Sequence, residues 1–224
     1  MREKKTLSEQ IYTDIKREIS NQELASGEKI NIKEVARRYG VSDTPVKQAL
    51  QRLAEEKLVV NTPNKGMRVR TMTPHELNDI FDLRLMMDLY FANDIITALH
   101  YNTTLREQLL QNLQQQKDFI ASKDSTSNAE QYFQLDLQFH TLFLTASGNQ
   151  KAVEVLKDLQ PFSLSAGAYF NQPHSRDCEC VAEHQAILDA TFAGDSEALR
   201  AAITTHIHNS QRAFQLIFNV NQMV

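Results

Sequence analysis

Tryptophan is absent from this chain of 224 residues, which also has only two cysteines, six glycines and five prolines. The cysteines, Cys178 and Cys180, are too close in sequence to join distant parts of a fold, as is typical of a reducing compartment. No run of 18 apolar residues occurs, so the sequence predicts no membrane span. Because the first residues lead into an amphipathic segment rather than an apolar signal core, we expect a cytoplasmic protein.

Charge is distributed unevenly along the chain. The formal net charge is −4, but residues 1–72 carry 15 Lys and Arg against 10 Asp and Glu, a net +5. Residues 73–224 carry 9 basic and 18 acidic side chains, a net −9. A basic module joined to an acidic remainder is typical of a DNA-binding domain attached to a sensing domain. We therefore predict two domains, 1–72 and 73–224.

The N-terminal region has the pattern of a winged helix-turn-helix. Apolar residues at helical spacing predict helices over 8–21 and 32–39, and a third helix follows the turn at Gly40. Two β-like runs, 58–60 and 67–70, then enclose a basic turn, which predicts a hairpin. Two helices, a tight turn, a third helix and a basic hairpin follow the order of this DNA-binding motif.

The C-terminal region reads as almost wholly helical. Thr73 and Glu76 form a capping-box pattern with Pro74 at the first helical position, so a helix is predicted to begin there. The polar stretch 122–127 is predicted to be a loop within one antiparallel α-helical bundle, and the fold class is therefore mainly α. The predicted helices, of which the first has a possible break, are 74–100, 103–122, 127–147, 150–171, 178–193 and 196–220.

Polar residues at the start and outer side of the third helix are candidates for reading DNA. Recognition helices place such residues in the major groove, while lysines and wing residues contact the backbone or the minor groove. A soluble three-helix unit with scattered lysines is the alternative, but the hairpin and the charge asymmetry favour DNA binding. The predicted DNA-contacting residues are Lys33, Ser42, Asp43, Thr44, Lys47, Lys65, Gly66 and Arg68.

Three histidines and an aspartate are candidate metal ligands. Asp136 and His140 are four residues apart, so both project from one face of a helix. His184 and His206 fall on two later helices of the predicted bundle. Imidazole and carboxylate donors together suit zinc, nickel or manganese. From spacing alone, the alternative that these are hydrogen-bonded core histidines stays open.

In the N-terminal region, called the head (residues 1–72), residues 40–50 read G-V-S-D-T-P-V-K-Q-A-L. This run resembles the GntR family of bacterial repressors, whose pattern is G-V-S-R-T-P-V-R-E-A-L. Asp43 and Lys47 replace two family arginines. An aspartate does not donate to guanine or phosphate, but it accepts a hydrogen bond from a cytosine amine. The resemblance therefore implies DNA binding with an operator that differs from the family norm.

The C-terminal region, residues 73–224, contains several stretches that resemble the ligand domain called FCD. These stretches are residues 136–140, 147–149 and 183–190, Gly194-Asp195 and His206. This resemblance implies that Asp136, His140, His184 and His206 hold a divalent metal, with coordination positions left for a small carboxylate effector. Arg84 matches an arginine that would pair with the effector. Two further alternatives stay open: Arg84 pairing with Asp88 along its own helix, and Asn149, the other candidate effector contact, capping the next helix.

These observations together predict a homodimeric, metabolite-responsive repressor and not an enzyme. A repressor that senses the metal ion itself is one alternative. A metal-dependent hydrolase is another, but no spare carboxylate stands out as its general base. The Cys178-Glu179-Cys180 pattern is not assigned to metal binding, because two cysteines need two more ligands in a closed site and are expected to lie in a loop.

Overall fold

The computed structural model describes residues 6–21, 23–63, 65–122, 129–159 and 172–222. Described residues up to Met72 form one compact unit, and those from Thr73 onward form a second. No helix in these ranges is both long and apolar enough to cross a membrane.

The first unit has the predicted order of a winged helix-turn-helix. Ile11, Ile15 and Ile19 recur every four residues and are buried, so one face of the first helix enters the core. The second helix ends at Gly40, whose left-handed φ of +63° favours glycine and turns the chain toward the third helix. The helices are α1 (Leu7–Ser20), α2 (Ile32–Tyr39) and α3 (Asp43–Glu55).

The predicted hairpin is present as two antiparallel strands, β1 (Val59–Thr62) and β2 (Gly66–Val69). Val59 lies opposite Val69, and both side chains are buried. Thr62 pairs with Gly66 at the turn. Asn64, at the tip of the predicted hairpin, lies outside the described residues.

The second unit consists of helices in the residues described. Thr73 and Glu76 form the predicted capping box, and Pro74 opens the first helix. That helix gives way to another at Phe91, which is the break considered from the sequence. The helices are α4 (Pro74–Tyr90), α5 (Ala92–Tyr101), α6 (Thr103–Ala121), α7 (Ala129–Thr145), α8 (Gln150–Leu159), α9 (His174–Ala193) and α10 (Ser196–Gln222).

One helix boundary differs from the prediction in a way that matters for the site. Helix α9 begins at His174, before the predicted start at residue 178. Both cysteines lie within this helix, so the separate expectation that they lie in a loop was wrong. The sequence lacks an N-cap signal here, because Pro173 occupies the N-cap and makes no side-chain hydrogen bond. The predicted loop from 123 onward and the helix beyond 159 fall outside the described residues.

The interior of the second unit forms where α9 packs against α5, α6 and α10, and α6 packs against α7. Helix α7 contributes Phe133, Phe139 and Phe143, all fully buried. Leu109 and Leu113 of α6 are also buried, as their apolar stripe predicts. Polar side chains from these same helices meet within this apolar surrounding and form the site described next.

Candidate functional site

The outer face of α3 is a polar, exposed surface suited to DNA. Thr44, Lys47, Gln48 and Gln51 are all exposed at helical spacing, while Val46, Ala49 and Leu50 face the core. Gln48 was not among the sequence candidates, although its position four residues after Thr44 and three before Gln51 was a usable signal. Glutamine amides hydrogen-bond adenine in the major groove.

Four of the predicted DNA contacts are exposed residues outside this face: Lys33, Ser42, Lys65 and Gly66. Ser42 occupies the N-cap of α3 but makes no side-chain capping hydrogen bond, so its hydroxyl is not committed to the helix. Asp43 is half-buried in the first turn, where a negative charge favours the helix dipole.

Arg68 is placed differently from its prediction as a wing contact. Its side chain is half-buried, and Nη1 donates to the carbonyl of Gly27 at 2.8 Å. An isolated β-bridge between Lys29 and Arg68 holds the same backbone. The structure thus directs this guanidinium toward its own unit, which weakens its candidacy for DNA.

Asp136 and His140 of α7, His184 of α9 and His206 of α10 come together in the second unit. All four residues are 4% exposed or less. Asp136 Oδ1 lies 3.6 Å from His184 Nε2 and 3.8 Å from His140 Nε2. His206 Nε2 lies 3.1 Å from His140 Nε2. The fold therefore brings the four predicted ligands into one buried cluster of donor atoms.

A chain of amide hydrogen bonds sets the protonation of His184. The carbonyl of Leu135 can only accept, so Asn112 donates to it through Nδ2 at 3.0 Å. Asn112 Oδ1 accepts from Gln116 Nε2 at 2.7 Å, and Gln116 Oε1 lies 2.8 Å from His184 Nδ1. His184 Nδ1 must then carry the proton, which leaves the Nε2 lone pair directed into the cluster.

His206 is oriented by a carboxylate in the same way. Its Nδ1 donates to Glu183 Oε2 at 2.8 Å, so its Nε2 is also available as a ligand. Arg176 binds both oxygens of Glu183, at 2.7 and 2.8 Å, and Asn209 donates to Oε1 at 2.8 Å. Burial raises the pKa of Glu183, but the hydrogen bonds from His206, Arg176 and Asn209 outweigh it and lower the pKa to about 2.

Burial also keeps the imidazoles neutral. It lowers the pKa of His140 and His184 well below the ordinary histidine value, and the positive charge of Arg84 acts in the same direction. For His206, burial lowers the pKa more than the hydrogen bond to Glu183 raises it. A neutral imidazole is the form that binds a metal.

Arg84 of α4 lies within electrostatic reach of this cluster, since it lowers the pKa of all three histidines. Its Nε and Nη2 atoms are buried and have no hydrogen-bond partner among the residues described. No ion pair with Asp88 satisfies these atoms. Burial raises the pKa of Asp88 to about 6, although the nearby Arg84 charge lowers it in part.

Cys180 is a member of this cluster that the sequence interpretation missed. Its Sγ lies 3.7 Å from Asp136 Oδ1 and 3.8 Å from His184 Nε2. Burial, followed by the negative charge of Asp136, raises the pKa of this thiol well above its ordinary value. Cys180 and His184 are four residues apart within the predicted helix 178–193, so their shared helix face was a usable signal.

Asn149 is exposed, and its Oδ1 accepts from the backbone N–H of Ala152 at 3.0 Å. This hydrogen bond caps the start of α8, which was the alternative considered from the sequence. Contact of Asn149 with an effector stays a prediction.

The donor set fits a divalent metal ion. His140, His184 and His206 place one nitrogen each within 4.8 Å of one another, and Asp136 Oδ1 adds an oxygen at one edge. Two of the imidazoles have Nδ1 hydrogen bonds that direct bare Nε2 atoms inward. Buried imidazole and carboxylate donors with such orienting partners are typical of zinc and similar ions.

Comparison with known families supports both units. Residues 7–69 match the model described as bacterial regulatory proteins, gntR family. Residues 79–209 match the FCD domain. These two matches cover the helix-turn-helix with its wing and nearly the whole helical unit, including every residue of the buried cluster.

Relatives match along most of the chain. An HTH-type transcriptional repressor of Escherichia coli K12, RspR, is 26% identical over 216 residues, covering 96% of this chain and 92% of the relative. An HTH-type transcriptional regulator of Streptomyces ambofaciens is 28% identical over 199 residues, covering 88% and 80%.

Solved structures share the fold. The Escherichia coli protein McbR/YncC has a TM-score of 0.68 at 21% identity, covering 96% of this chain and 99% of its own. A structure described as a metal-free FCD domain has a TM-score of 0.53 at 17% identity, covering 67% and 99%. At these identities the likeness establishes the fold alone.

The family matches and relatives are all transcriptional regulators rather than enzymes, which removes the hydrolase alternative. A DNA-binding head is joined to a helical domain with a buried cluster of potential metal donors. This chain belongs to the GntR family of bacterial transcriptional regulators and carries the family's FCD domain.

Proposed function

We propose that this protein is a dimeric, cytoplasmic repressor that binds operator DNA through residues 1–72 and a small carboxylate effector through residues 73–224. Asp136, His140, His184 and His206 hold a divalent metal in this proposal, with zinc, nickel or manganese as the candidates. Effector binding changes operator affinity by favouring one conformation of the regulator over another.

The observation that carries the proposal is the state of Arg84. Arg84 is half-buried, but its Nε and Nη2 atoms are buried and unsatisfied, which is costly because buried polar atoms in proteins are normally paired. A carboxylate ligand satisfies a guanidinium through two parallel hydrogen bonds. Because the Arg84 charge lowers the pKa of all three histidines, an anion bound to Arg84 would be within electrostatic range of the metal donors.

A bound metal supplies a second positive centre for the effector carboxylate. The chain's own residues do the rest of the positioning. Gln116 orients His184, Glu183 orients His206, and Arg84 is assigned to pair with the acid. The neutral histidines need no deprotonation before the metal binds.

DNA binding is supported by the exposed polar face of α3 and by the repressor name of the Escherichia coli relative. Lys47 is the cation on this face, and we assign it to phosphate or base contact. Thr44, Gln48 and Gln51 offer hydrogen bonds to base edges. Asp43 is assigned to acceptance from cytosine, the contact that sets this operator apart from the family norm.

Dimerisation is supported by an apolar stripe on α4. Leu83, Met86 and Tyr90 are 39%, 60% and 76% exposed, and their spacing puts them along one side of the helix. Exposed apolar patches of this kind commonly mark protein interfaces. A two-fold dimer would present two recognition helices to successive major grooves of a near-palindromic operator.

The test begins with native mass spectrometry of the purified protein, which reports dimer mass, metal and any retained acid. An operator is then selected from random duplex DNA, and its affinity is measured by fluorescence anisotropy with acetate, succinate or citrate, each with and without zinc. We expect one acid to change the affinity of the wild-type protein only when metal is present.

Arg84→Gln is expected to abolish this acid response while retaining operator and metal binding. Arg106→Gln is the matched control, since the guanidinium of Arg106 stacks on Phe192, which is not a member of the cluster. An acid response that persists in Arg84→Gln would contradict the assigned effector site. A change of affinity caused by metal alone, with no further effect of any acid, would support the alternative that the ion is the effector.

A further inference from the structure

The sulfur of Cys180 occupies one corner of a nearly equilateral triangle of donor atoms. Its Sγ lies 3.7 Å from Asp136 Oδ1 and 3.8 Å from His184 Nε2, and these two atoms are 3.6 Å apart. Cys180 and His184 lie one turn apart on α9, so their side chains project from the same face. The triangle therefore joins α9 to the carboxylate of α7.

These distances match the spacing of atoms around a bound metal. With bonds of about 2.0–2.1 Å to nitrogen or oxygen and about 2.3 Å to sulfur, neighbouring ligands in a five-coordinate shell lie roughly 2.9–3.8 Å apart, at angles of about 90° to 120°. The observed edges of 3.6, 3.7 and 3.8 Å fall within this range. The thiol is thus within coordinating distance in the conformation that it already has.

The surroundings of Cys180 differ from those of an inert core cysteine. A buried cysteine usually behaves as a small apolar side chain. Here Sγ contacts a carboxylate and an imidazole, and it also lies within 4.8 Å of donor atoms of Glu183 and His206. Cys180 is 5% exposed, so water does not compete freely for these contacts.

We propose that Cys180 binds the metal together with Asp136 and the three histidines, its thiol releasing its proton to solvent as the metal–sulfur bond forms, and makes the centre selective for zinc, cobalt or nickel over manganese. Thiolate ligands favour the softer ions, whereas manganese prefers oxygen donors. The inference rests on the proposed metal centre and specifies its ligand set.

This ligand set also changes how the effector is bound. A thiolate and the Asp136 carboxylate together neutralise the two charges of a divalent ion. The net positive charge that an acid encounters is then supplied by Arg84 rather than by the metal. Arg84 becomes the principal determinant of effector affinity.

Cobalt(II) substitution tests the inference because sulfur and cobalt give a near-ultraviolet charge-transfer band that nitrogen and oxygen ligands do not give. The metal-free full-length protein is titrated with cobalt(II) and followed from the near-ultraviolet to the visible, where the cobalt d–d bands report binding by any ligands. We compare wild type with Cys180→Ser and Cys178→Ser. Cys178 is the matched control because it lies on the same helix but is exposed.

We expect the charge-transfer band in wild type and Cys178→Ser and its loss in Cys180→Ser, with d–d bands in all three. Changes to outer partners of metal ligands weaken binding by about 10–100-fold, and we expect at least this loss of cobalt affinity in Cys180→Ser. The preference for cobalt over manganese should fall with it, because the lost donor is the soft one.

Visible d–d bands without a charge-transfer band in wild type would overturn the role of Cys180 and leave the proposed metal centre intact. Absence of all cobalt bands from wild type would overturn both. Should Cys180→Ser fail to fold, zinc-edge X-ray absorption of the wild-type protein decides the question. A sulfur shell at about 2.3 Å supports the inference, and a shell of nitrogen and oxygen alone overturns it.

Discussion

Replacement of Gln116 by leucine tests whether the hydrogen-bonded amides of Asn112 and Gln116 on α6 control the proposed metal centre. Gln116 is fully buried and lies on a different helix from the histidine that it orients. Leucine is similar in size but accepts no hydrogen bond, so His184 Nδ1 loses the acceptor that fixes its proton. The other tautomer, with the proton on Nε2, then becomes accessible and has no lone pair there for a metal.

The expected loss of metal affinity is about 10–100-fold, which corresponds to roughly 1.4–2.8 kcal/mol. Stability of the metal-free protein should also fall, because each buried polar atom left without a partner costs about 1–3 kcal/mol. The two atoms concerned are His184 Nδ1 and Asn112 Oδ1.

Competition against a chromophoric chelator gives the metal affinity, and denaturant unfolding of the metal-free protein gives the stability. Gln115→Leu is the control, since Gln115 is the neighbouring residue on the exposed side of α6. Gln116→Glu keeps an acceptor for His184 but not the donor to Asn112, so it should restore metal affinity without restoring stability. A change below about threefold in Gln116→Leu, roughly 0.6 kcal/mol, would refute the reasoning.

Three further predictions follow from the same structure. Lys47→Ala should weaken operator binding and reduce the slope of log affinity against log salt concentration by about 1. Fluorescence anisotropy between low and moderate salt measures this slope, and an unchanged slope would contradict contact of Lys47 with phosphate. Burial raises the pKa of Asp88 to about 6 from an ordinary value of 3.8, so the folded protein favours the protonated carboxyl group. The stability that this preference contributes is fully present below pH 3.8 and is lost as pH rises through 6. Asp88→Asn should therefore raise the free energy of unfolding by up to roughly 3 kcal/mol at pH 7.5 and by little at pH 4, in urea titrations at both pH values. Phe139→Ala, which removes a fully buried ring stacked on His184 at 4.0 Å, should destabilise the helical unit by about 3–5 kcal/mol in its denaturant transition, and a loss below about 1 kcal/mol would be inconsistent with this packing.

The fold could be predicted where the signals are local. Apolar residues at helical spacing located α1 and α3, and the capping box located the start of α4. The start of α9 was missed for an equally local reason, because Pro173 gives no side-chain cap to mark it. Cys180 was missed for a different reason: it was expected to lie in a loop, although the predicted helix 178–193 already places it one turn before His184.

The partners that orient the site were beyond the reach of sequence patterns. Asp136 and His140 share a helix face, and their pairing follows from a spacing of four. Gln116 and His184 are 68 residues apart, and Glu183 and His206 are 23 apart on different helices. Such pairs depend on how helices pack, which local periodicity does not encode.

Arg68 illustrates the same limit in the head. Its position in a basic hairpin favours contact with DNA, yet the structure joins its guanidinium to Gly27, which is 41 residues away. The sequence identifies the positive charge of Arg68. The direction of its side chain depends on Gly27, which the tertiary fold brings within hydrogen-bonding distance.

Helix α9 carries two of the proposed metal donors, His184 and Cys180, and the groups that orient His206, Glu183 and Arg176, all within three successive turns. They belong to one rigid rod, so any sliding of that rod displaces them all together. Coordination distances tolerate only about 0.2 Å, whereas the rise of a helix is about 1.5 Å per residue. A bound ion would therefore hold α9 at one position along its axis. The ion could bind only when the helix occupies that position.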